Sequence, residues 1–285
     1  MREGLNRFTA SPLGRSLYWP FQKLLRLGRR LRHPGVPINH IITRVSYRGR
    51  KFSIESRRWN WDDRRAIKQC FAYAQYDMPS GQHGLYIDRV YREIVASGKK
   101  PLIVDCWANI GASVLWFSAR YPEAHIVAVE PAPDNFALLR KNCAGLDVDL
   151  REAGIGAVDG TAHLSNPFDG GMSYRTAEGG DGINVEILSF ERLMASKPQS
   201  AYSPFLLKVD IEGAEKSLFT ASASLLDQFS LILAEPHDWL LPGQHTSVEL
   251  FRFHAAAGRE FAMNNENIAS IAYPSSLLDS AGANG

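Results

Sequence analysis

Between residues 100 and 236 the chain alternates short apolar runs with longer stretches of helical spacing, and most of the runs end on a carboxylate. The runs Leu102–Asp105, Ile126–Glu130, Val148–Ala153, Phe205–Asp210 and Leu231–Glu235 are too short and too uniformly apolar for amphipathic helices, so they predict buried strands. Helical spacing over Ser113–Tyr121, Asn135–Ala144 and Ala214–Leu226 fills the gaps, which predicts parallel βαβ units and an α/β, doubly wound sheet. Upstream, Ile67, Cys70, Phe71 and Tyr73 predict a helix over Asp62–Tyr76, and Ile87, Val90, Tyr91 and Ile94 predict another over Leu85–Ser97. Thr43–Glu55 alternates as a strand or hairpin around Arg48-Gly49-Arg50. Glycines at Asp169-Gly170-Gly171 and Glu178-Gly179-Gly180 predict a flexible excursion before a strand at Val185–Leu188, an insertion of the kind that carries substrate contacts.

These patterns divide the chain into a basic extension over 1–40, a cap over 41–98, an α/β domain over 99–275 and a flexible tail over 276–285. With 285 residues, 45% hydrophobic and 22% charged, the composition is that of a globular protein. No apolar stretch approaches the roughly 18 residues of a membrane span, and the N-terminus lacks a signal-peptide pattern, so the expected location is cytoplasmic. Cys70, Cys106 and Cys143 are odd in number and show no paired spacing, which predicts reduced core thiols. The net charge of +2 conceals an asymmetry: residues 1–60 hold 14 Lys or Arg against Glu3 and Glu55. Leu17, Phe21, Leu24, Leu25, Leu27 and Leu31 recur near helical spacing among Lys23, Arg26, Arg29, Arg30 and Arg32, which reads as a solvated basic extension or as a peripheral membrane contact. No nucleic-acid motif accompanies the charge, and no nucleic-acid partner is expected.

In a doubly wound sheet, ligands bind beyond the carboxyl ends of the strands, which would gather Asp105, Glu130, Asp210 and Glu235 around one crevice. Glu130 lies 25 positions after Asp105, about the spacing at which an acid accepts hydrogen bonds from a ribose diol. Dinucleotide sites need G-x-G-x-x-G so that the backbone approaches the pyrophosphate, and Asn109 stands at the second glycine position. A nucleoside cofactor without pyrophosphate suits that turn better, and S-adenosylmethionine is such a cofactor. Its amino-acid portion would lie along Asp105–Gly111, its ribose on Glu130 and its adenine against Ala153-Gly154-Ile155.

Three blocks resemble the FkbM-type methyltransferases over roughly residues 102–237. Val104-Asp105-Cys106-Trp107-Ala108-Asn109-Ile110-Gly111 is similar to that family's V-D-x-G-A-N-I-G. Val129-Glu130-Pro131-Ala132-Pro133-Asp134-Asn135-Phe136 resembles its E-P-x-P-x-N-F, and Leu207-Lys208-Val209-Asp210-Ile211-Glu212-Gly213-Ala214-Glu215 its L-K-x-D-x-E-G-x-E, with Glu235-Pro236-His237 like its E-x-H. The resemblance implies a Rossmann-like class I methyltransferase fold, S-adenosylmethionine as methyl donor and O-methylation of a sugar, glycolipid, polyketide or related hydroxyl. The cofactor-side residues would then be Asp105, Trp107, Asn109, Gly111, Glu130, Asn135, Gly154 and Asp210.

Trp107 departs from the family's glycine. If position 107 needs the positive φ that glycine accepts without strain, tryptophan costs about 1 to 3 kcal/mol there. The indole must also project into the methionine pocket or push the turn outward. This substitution supports a rival reading, a binding or scaffolding protein that keeps the fold with a blocked pocket. A nicotinamide-dependent oxidoreductase is disfavoured by the missing glycine.

Methyl transfer to an alcohol requires a base. His237, with an unperturbed pKa near neutrality, is the first candidate, and Glu212 and Glu215 at the start of the following helix are alternatives. No metal is expected, although Asp210, Glu212, Glu235 and His237 are residue types that coordinate a divalent cation. Lys208, set within an apolar strand, should be paired with one of the strand-end carboxylates. Trp239, Tyr174 and Tyr86 are candidate stacking surfaces for the acceptor.

Overall fold

A computed structural model describes residues 37, 39–78, 81–165, 175–177, 182–211, 215–238, 243–264 and 266–273. The described chain opens with an antiparallel hairpin, β1 (His40–Tyr47) and β2 (Arg50–Arg57). Arg48 and Gly49 close it with φ of 47° and 79°, the hand that a two-residue hairpin turn requires. Helices α1 (Trp61–Phe71) and α2 (Gln82–Ala96) follow. The side chain of Asn60 caps α1 by accepting from the Asp63 amide at 2.9 Å. The helix ends before the expected Tyr76 because Ala74 takes a φ of 48° and turns the chain back.

The α/β region runs β3 (Lys100–Asp105), α3 (Ala112–Arg120), β4 (His125–Val129), α4 (Pro133–Asn142) and β5 (Val148–Arg151). It continues through β6 (Gly154–Gly156), β7 (Gly160–Ser165), β8 (Arg175–Ala177), β9 (Ile183–Ser189) and α5 (Phe190–Ala195). The last part is β10 (Tyr202–Val209), α6 (Glu215–Ala221), α7 (Ala223–Leu226), β11 (Leu231–Ala234), α8 (Val248–Ala256), β12 (Glu260–Asn264) and β13 (Asn267–Ile271). A seven-stranded sheet has the order β12-β13-β11-β10-β3-β4-β5, parallel from β11 to β5, with β13 antiparallel to both its neighbours. The predicted α/β class and mostly parallel doubly wound sheet are therefore observed.

Several expectations are corrected. The run Val148–Ala153 is two strands, because β5 stops at Arg151 and Gly154–Gly156 leaves the main sheet to pair with β9. The glycine runs at 169–171 and 178–180 lie outside the described residues, but the residues around them form a second sheet, ordered β6-β9-β7-β8, in which β9 is the strand expected at Val185–Leu188. The single helix expected over 214–226 is broken at Ser222, which separates α6 from α7. The edge strand β12 carries Phe261 and Met263 outward, 54% and 60% exposed, so its apolar positions do not mark the buried face and the pattern is misleading.

Alternate residues of β3 feed the two faces of the sheet. Leu102 and Val104 join one apolar cluster with Val127, Phe190, Phe219 and Leu250. Ile103 joins the other, which also takes in Ile54, Ile67, Tyr76 and Ile87, so the N-terminal elements share the core of the sheet. Trp116 is fully buried there, with its ring 5.1 Å from Tyr47 and 6.2 Å from Tyr76. Arg57 reinforces the join by bonding the buried Asp63 at 2.6 Å together with Asp134 and Asn135 of α4. All three cysteines are free and buried. Among the described residues, no helix is long and apolar enough to cross a membrane.

Candidate active site

The turn from β3 into α3 is built around a buried ion pair. Register places Lys208 of β10 beside Asp105 of β3, and Nζ of Lys208 reaches Oδ1 of Asp105 at 3.2 Å. The same ammonium donates to the Trp107 carbonyl at 2.9 Å and lies 3.2 Å from Oδ2 of Asp210. Burial opposes its charge, but the surrounding Asp105, Tyr76 and Asp210 hold its pKa well above the ordinary lysine value. Asp105 also accepts from Ser113 Oγ at 2.5 Å and from the Trp107 amide at 3.3 Å, so it fixes both ends of the turn. The pairing expected for Lys208 is present, and it engages two strand-end acids rather than one.

The turn's positive φ angles fall at Asn109 (50°) and Gly111 (89°), not at Trp107. Asn109 tolerates that region because its side chain bonds locally, Oδ1 accepting from the Ile110 amide at 2.7 Å. Gly111 is required outright, since a Cβ there would sit 2.9 Å from Leu139 Cδ1 and 3.0 Å from Cys143 Sγ. The backbone strain expected at Trp107 is thus displaced two residues along the chain. The indole is 5% exposed and belongs to the extended apolar cluster that also takes in Ala132, Ala153, Ile155 and Phe219. Its Nε1 is buried without a hydrogen-bond partner.

What remains of the crevice is a cavity of about 30 Å³ lined by Gln69, Cys70, Tyr76, Trp107, Asn109, Ser113, Lys208 and Asp210 among others. That volume holds about one water molecule, whereas small-molecule sites typically occupy about 300 to 1,000 Å³. The polar groups suit a nucleoside and an amino-acid moiety, but with Trp107 seated the space does not. Glu130 is likewise fully enclosed. Its oxygens accept from the amides of Asn109 at 2.8 Å and Ala132 at 2.9 Å and from Nδ2 of Asn135 at 3.3 Å, and burial pushes its pKa up to about 7. In this conformation it clamps the two loops together and presents nothing to the crevice. Asn135, also fully buried, accepts from Arg57 and supports that clamp. Gly154 is buried in β6, opposite Ile187 of β9, and does not line the cavity.

A second group of side chains adjoins the first through Asp210. His237, 2% exposed, has Nδ1 2.7 Å from Oε1 of the buried Glu215 at the start of α6. Its Nε2 lies 3.6 Å from Oδ1 of Asp210 and 3.9 Å from Oε1 of Glu235. Burial, then the charge of Asp210, pushes Glu235 up to about 8. Burial would raise Asp210 too, but Lys208 and His237 hold it below its ordinary value. Glu215 is thereby a partner of the imidazole rather than an independent base, and Asp210, Glu235 and His237 offer ligand atoms within 4.8 Å of one another that could hold a divalent cation. The sequence-predicted Glu212, Tyr174 and Trp239 lie outside the described residues. Tyr86 does not line the crevice; it stacks on Tyr273 at 4.1 Å and bonds the Ala272 carbonyl. Gln69, Cys70 and Tyr76 were missed as site residues. Helical spacing marked Cys70 only as core, and nothing local in the sequence says which crevice that core adjoins.

The sequence model of the family described as "Methyltransferase FkbM domain" matches residues 105–262. Methyltransferase sdnD of Sordaria araneosa is 28% identical over 165 residues, covering 46% of this chain and 63% of that protein. Methyltransferase 1 of Beauveria bassiana (strain ARSEF 2860) is 26% identical over 155 residues, covering 46% of this chain and 61% of that protein. The chain therefore spans less than two thirds of the length of these relatives. Among solved structures, the SAH-bound Podospora anserina methyltransferase PaMTH1 aligns with 16% identity and a TM-score of 0.37, covering 73% of this chain and 88% of that one. The family match runs from the buried Asp105 into β12 and takes in more than half of the sequence, and the chain belongs to the methyltransferase FkbM domain family.

Proposed function

We propose that the protein is an S-adenosylmethionine-dependent O-methyltransferase acting on a hydroxyl of a sugar, glycolipid or polyketide-type acceptor. The observation that carries the reading is the position of Asp210, which is both a wall of the Asp105–Gly111 crevice and a neighbour of the Glu215-held His237. When bound, the cofactor supplies an electrophilic methyl group. The protein's part is to align an acceptor oxygen and remove its proton. His237 takes that proton at Nε2, and Glu215 fixes the ring through Nδ1 and stabilises the imidazolium that results. Lys208 holds the ends of β3 and β10 at the spacing the crevice needs, by bridging Asp105 and Asp210. The acceptor class rests on the family resemblance.

A second reading is favoured by Trp107: a protein that keeps the fold and binds partners without a cofactor. Transfer of labelled methyl groups from S-adenosylmethionine to a panel of hydroxyl compounds, by this chain, Trp107→Gly and His237→Ala, separates the two. Transfer that depends on His237 supports the methyltransferase. Cofactor binding by neither this chain nor Trp107→Gly overturns it and favours the second reading.

A further inference from the structure

The face of α1 opposite the crevice carries chemistry that the proposed reaction does not use. Trp59 and Trp61, on either side of the N-cap Asn60, are 81% and 67% exposed, and Tyr73 beyond the helix is 66% exposed. Indole rings left in water forgo their burial energy, and two of them two positions apart form a local apolar patch. Cations accompany each ring. Arg58 lies over Trp59 at 5.8 Å, and Lys68 over Trp61 at 5.9 Å.

Helical geometry separates the two faces of α1. At about 100° per residue, Trp61, Arg65 and Lys68 project along one stripe, and all three are exposed. Ala66, Gln69 and Cys70 lie on the other side, where they line the crevice. The hairpin that leads into α1 exposes Arg44, Arg48, Arg50 and Lys51, of which Arg50 donates to the Ser118 carbonyl, and its only acid, Glu55, is tied to His40 and Lys141. Arg65 is partly offset by Glu266 at 3.2 Å.

We propose that this surface, led by Trp59 and Trp61, docks on an anionic lipid bilayer. Tryptophan is favoured at the headgroup level, where its ring meets the acyl boundary and its N–H stays wet. Each basic residue held near an anionic membrane contributes about a fivefold gain in binding. The geometry suits lipid better than nucleic acid: the rings stand at an exposed helix start rather than within a basic groove that tracks a phosphate backbone. Docking by this face sets the crevice one helix width above the bilayer. Resting on the methyltransferase reading, this assigns the acceptor hydroxyl to a membrane-borne molecule, a glycolipid in chemical class.

The test is co-sedimentation of the full chain with vesicles of phosphatidylcholine alone and of phosphatidylcholine with phosphatidylserine, without cofactor or acceptor. It is repeated for Trp59→Ala/Trp61→Ala and Arg58→Ser/Lys68→Ser, with thermal melts to show that both variants fold. Binding only to the anionic vesicles, lost in the tryptophan variant and weakened on the order of 25-fold in the other, is the expected result. Three outcomes overturn the proposal: no binding to anionic vesicles, binding unchanged by removal of both indoles, or binding to single-stranded RNA in place of vesicles. Because no methyl transfer is measured, failure of the enzymatic reading leaves this result interpretable.

Discussion

Replacing Trp107 by glycine is expected to weaken the fold and open the cofactor site at the same time. Burial of an aromatic side chain in the cluster of Ala132, Ala153, Ile155 and Phe219 makes a large-to-small change cost about 3 to 5 kcal/mol. Against this, the indole Nε1 is buried without a partner, and its removal returns about 1 to 3 kcal/mol of desolvation. The net loss is about 2 kcal/mol, or a fall in Tm of roughly 4 to 8 °C for a chain of this size. The same quantity governs binding in the unaltered chain, where the cavity of about 30 Å³ admits a cofactor only if the indole leaves its cluster. An eviction cost of about 2 kcal/mol weakens the affinity roughly 30-fold. Calorimetric titration with S-adenosylmethionine and S-adenosylhomocysteine should therefore give a tighter Kd for Trp107→Gly. A saturating ligand at about 100 times Kd should also add about 2.7 kcal/mol to that variant's stability. Equal affinities for the two proteins would refute the reasoning, as would a variant that melts higher than the parent without ligand.

Glu215→Gln should leave cofactor affinity unchanged and lower kcat, while His237→Ala should lower kcat by about 10² to 10⁴; a Kd change with unaltered kcat would reassign both residues to binding. Glu235 has its pKa raised from 4.5 to about 8, so the folded chain keeps a proton that the unfolded chain has lost, and stability should fall as pH rises between about 4.5 and 8. Glu235→Gln should remove that component, which urea midpoints at pH 5 and 8.5 would reveal; an unchanged difference between the two would contradict the assignment. Gly111→Ala combines a φ of 89° with a Cβ only 2.9 Å from Leu139, and should cost about 2 to 4 kcal/mol in chemical denaturation. A loss below about 1 kcal/mol would mean that α4 gives way.

The strands of the main sheet were legible because a parallel strand covered on both faces must be apolar throughout, and β3, β4 and β11 are buried along nearly their whole length. The hairpin was legible for a different reason, since alternating positions flank Gly49, which accepts the positive φ a two-residue turn requires. The four-stranded sheet was not, because strands as short as Gly154–Gly156 acquire their hydrogen bonds from β9, some thirty residues away, and leave little pattern of their own. β12 escaped because an edge strand need not hide its apolar side chains.

At the site the division is similar. The sequence alone determined that Lys208 needs a strand-end carboxylate as its partner, because a charge in an apolar strand must find its counter-charge when water is excluded. It also marked Trp107 as the position where the cofactor turn departs from its expected form. Only the tertiary structure decided which acids Lys208 meets, since strand register sets that, and only it decided that Glu215 holds His237. It decided as well that the turn's positive φ angles fall at Asn109 and Gly111, while Trp107 is buried as a wall of the crevice. Local sequence specifies backbone preference and the need for burial. The volume left for a ligand depends on how α1, β3 and β10 pack, and on side chains contributed from positions more than a hundred residues apart.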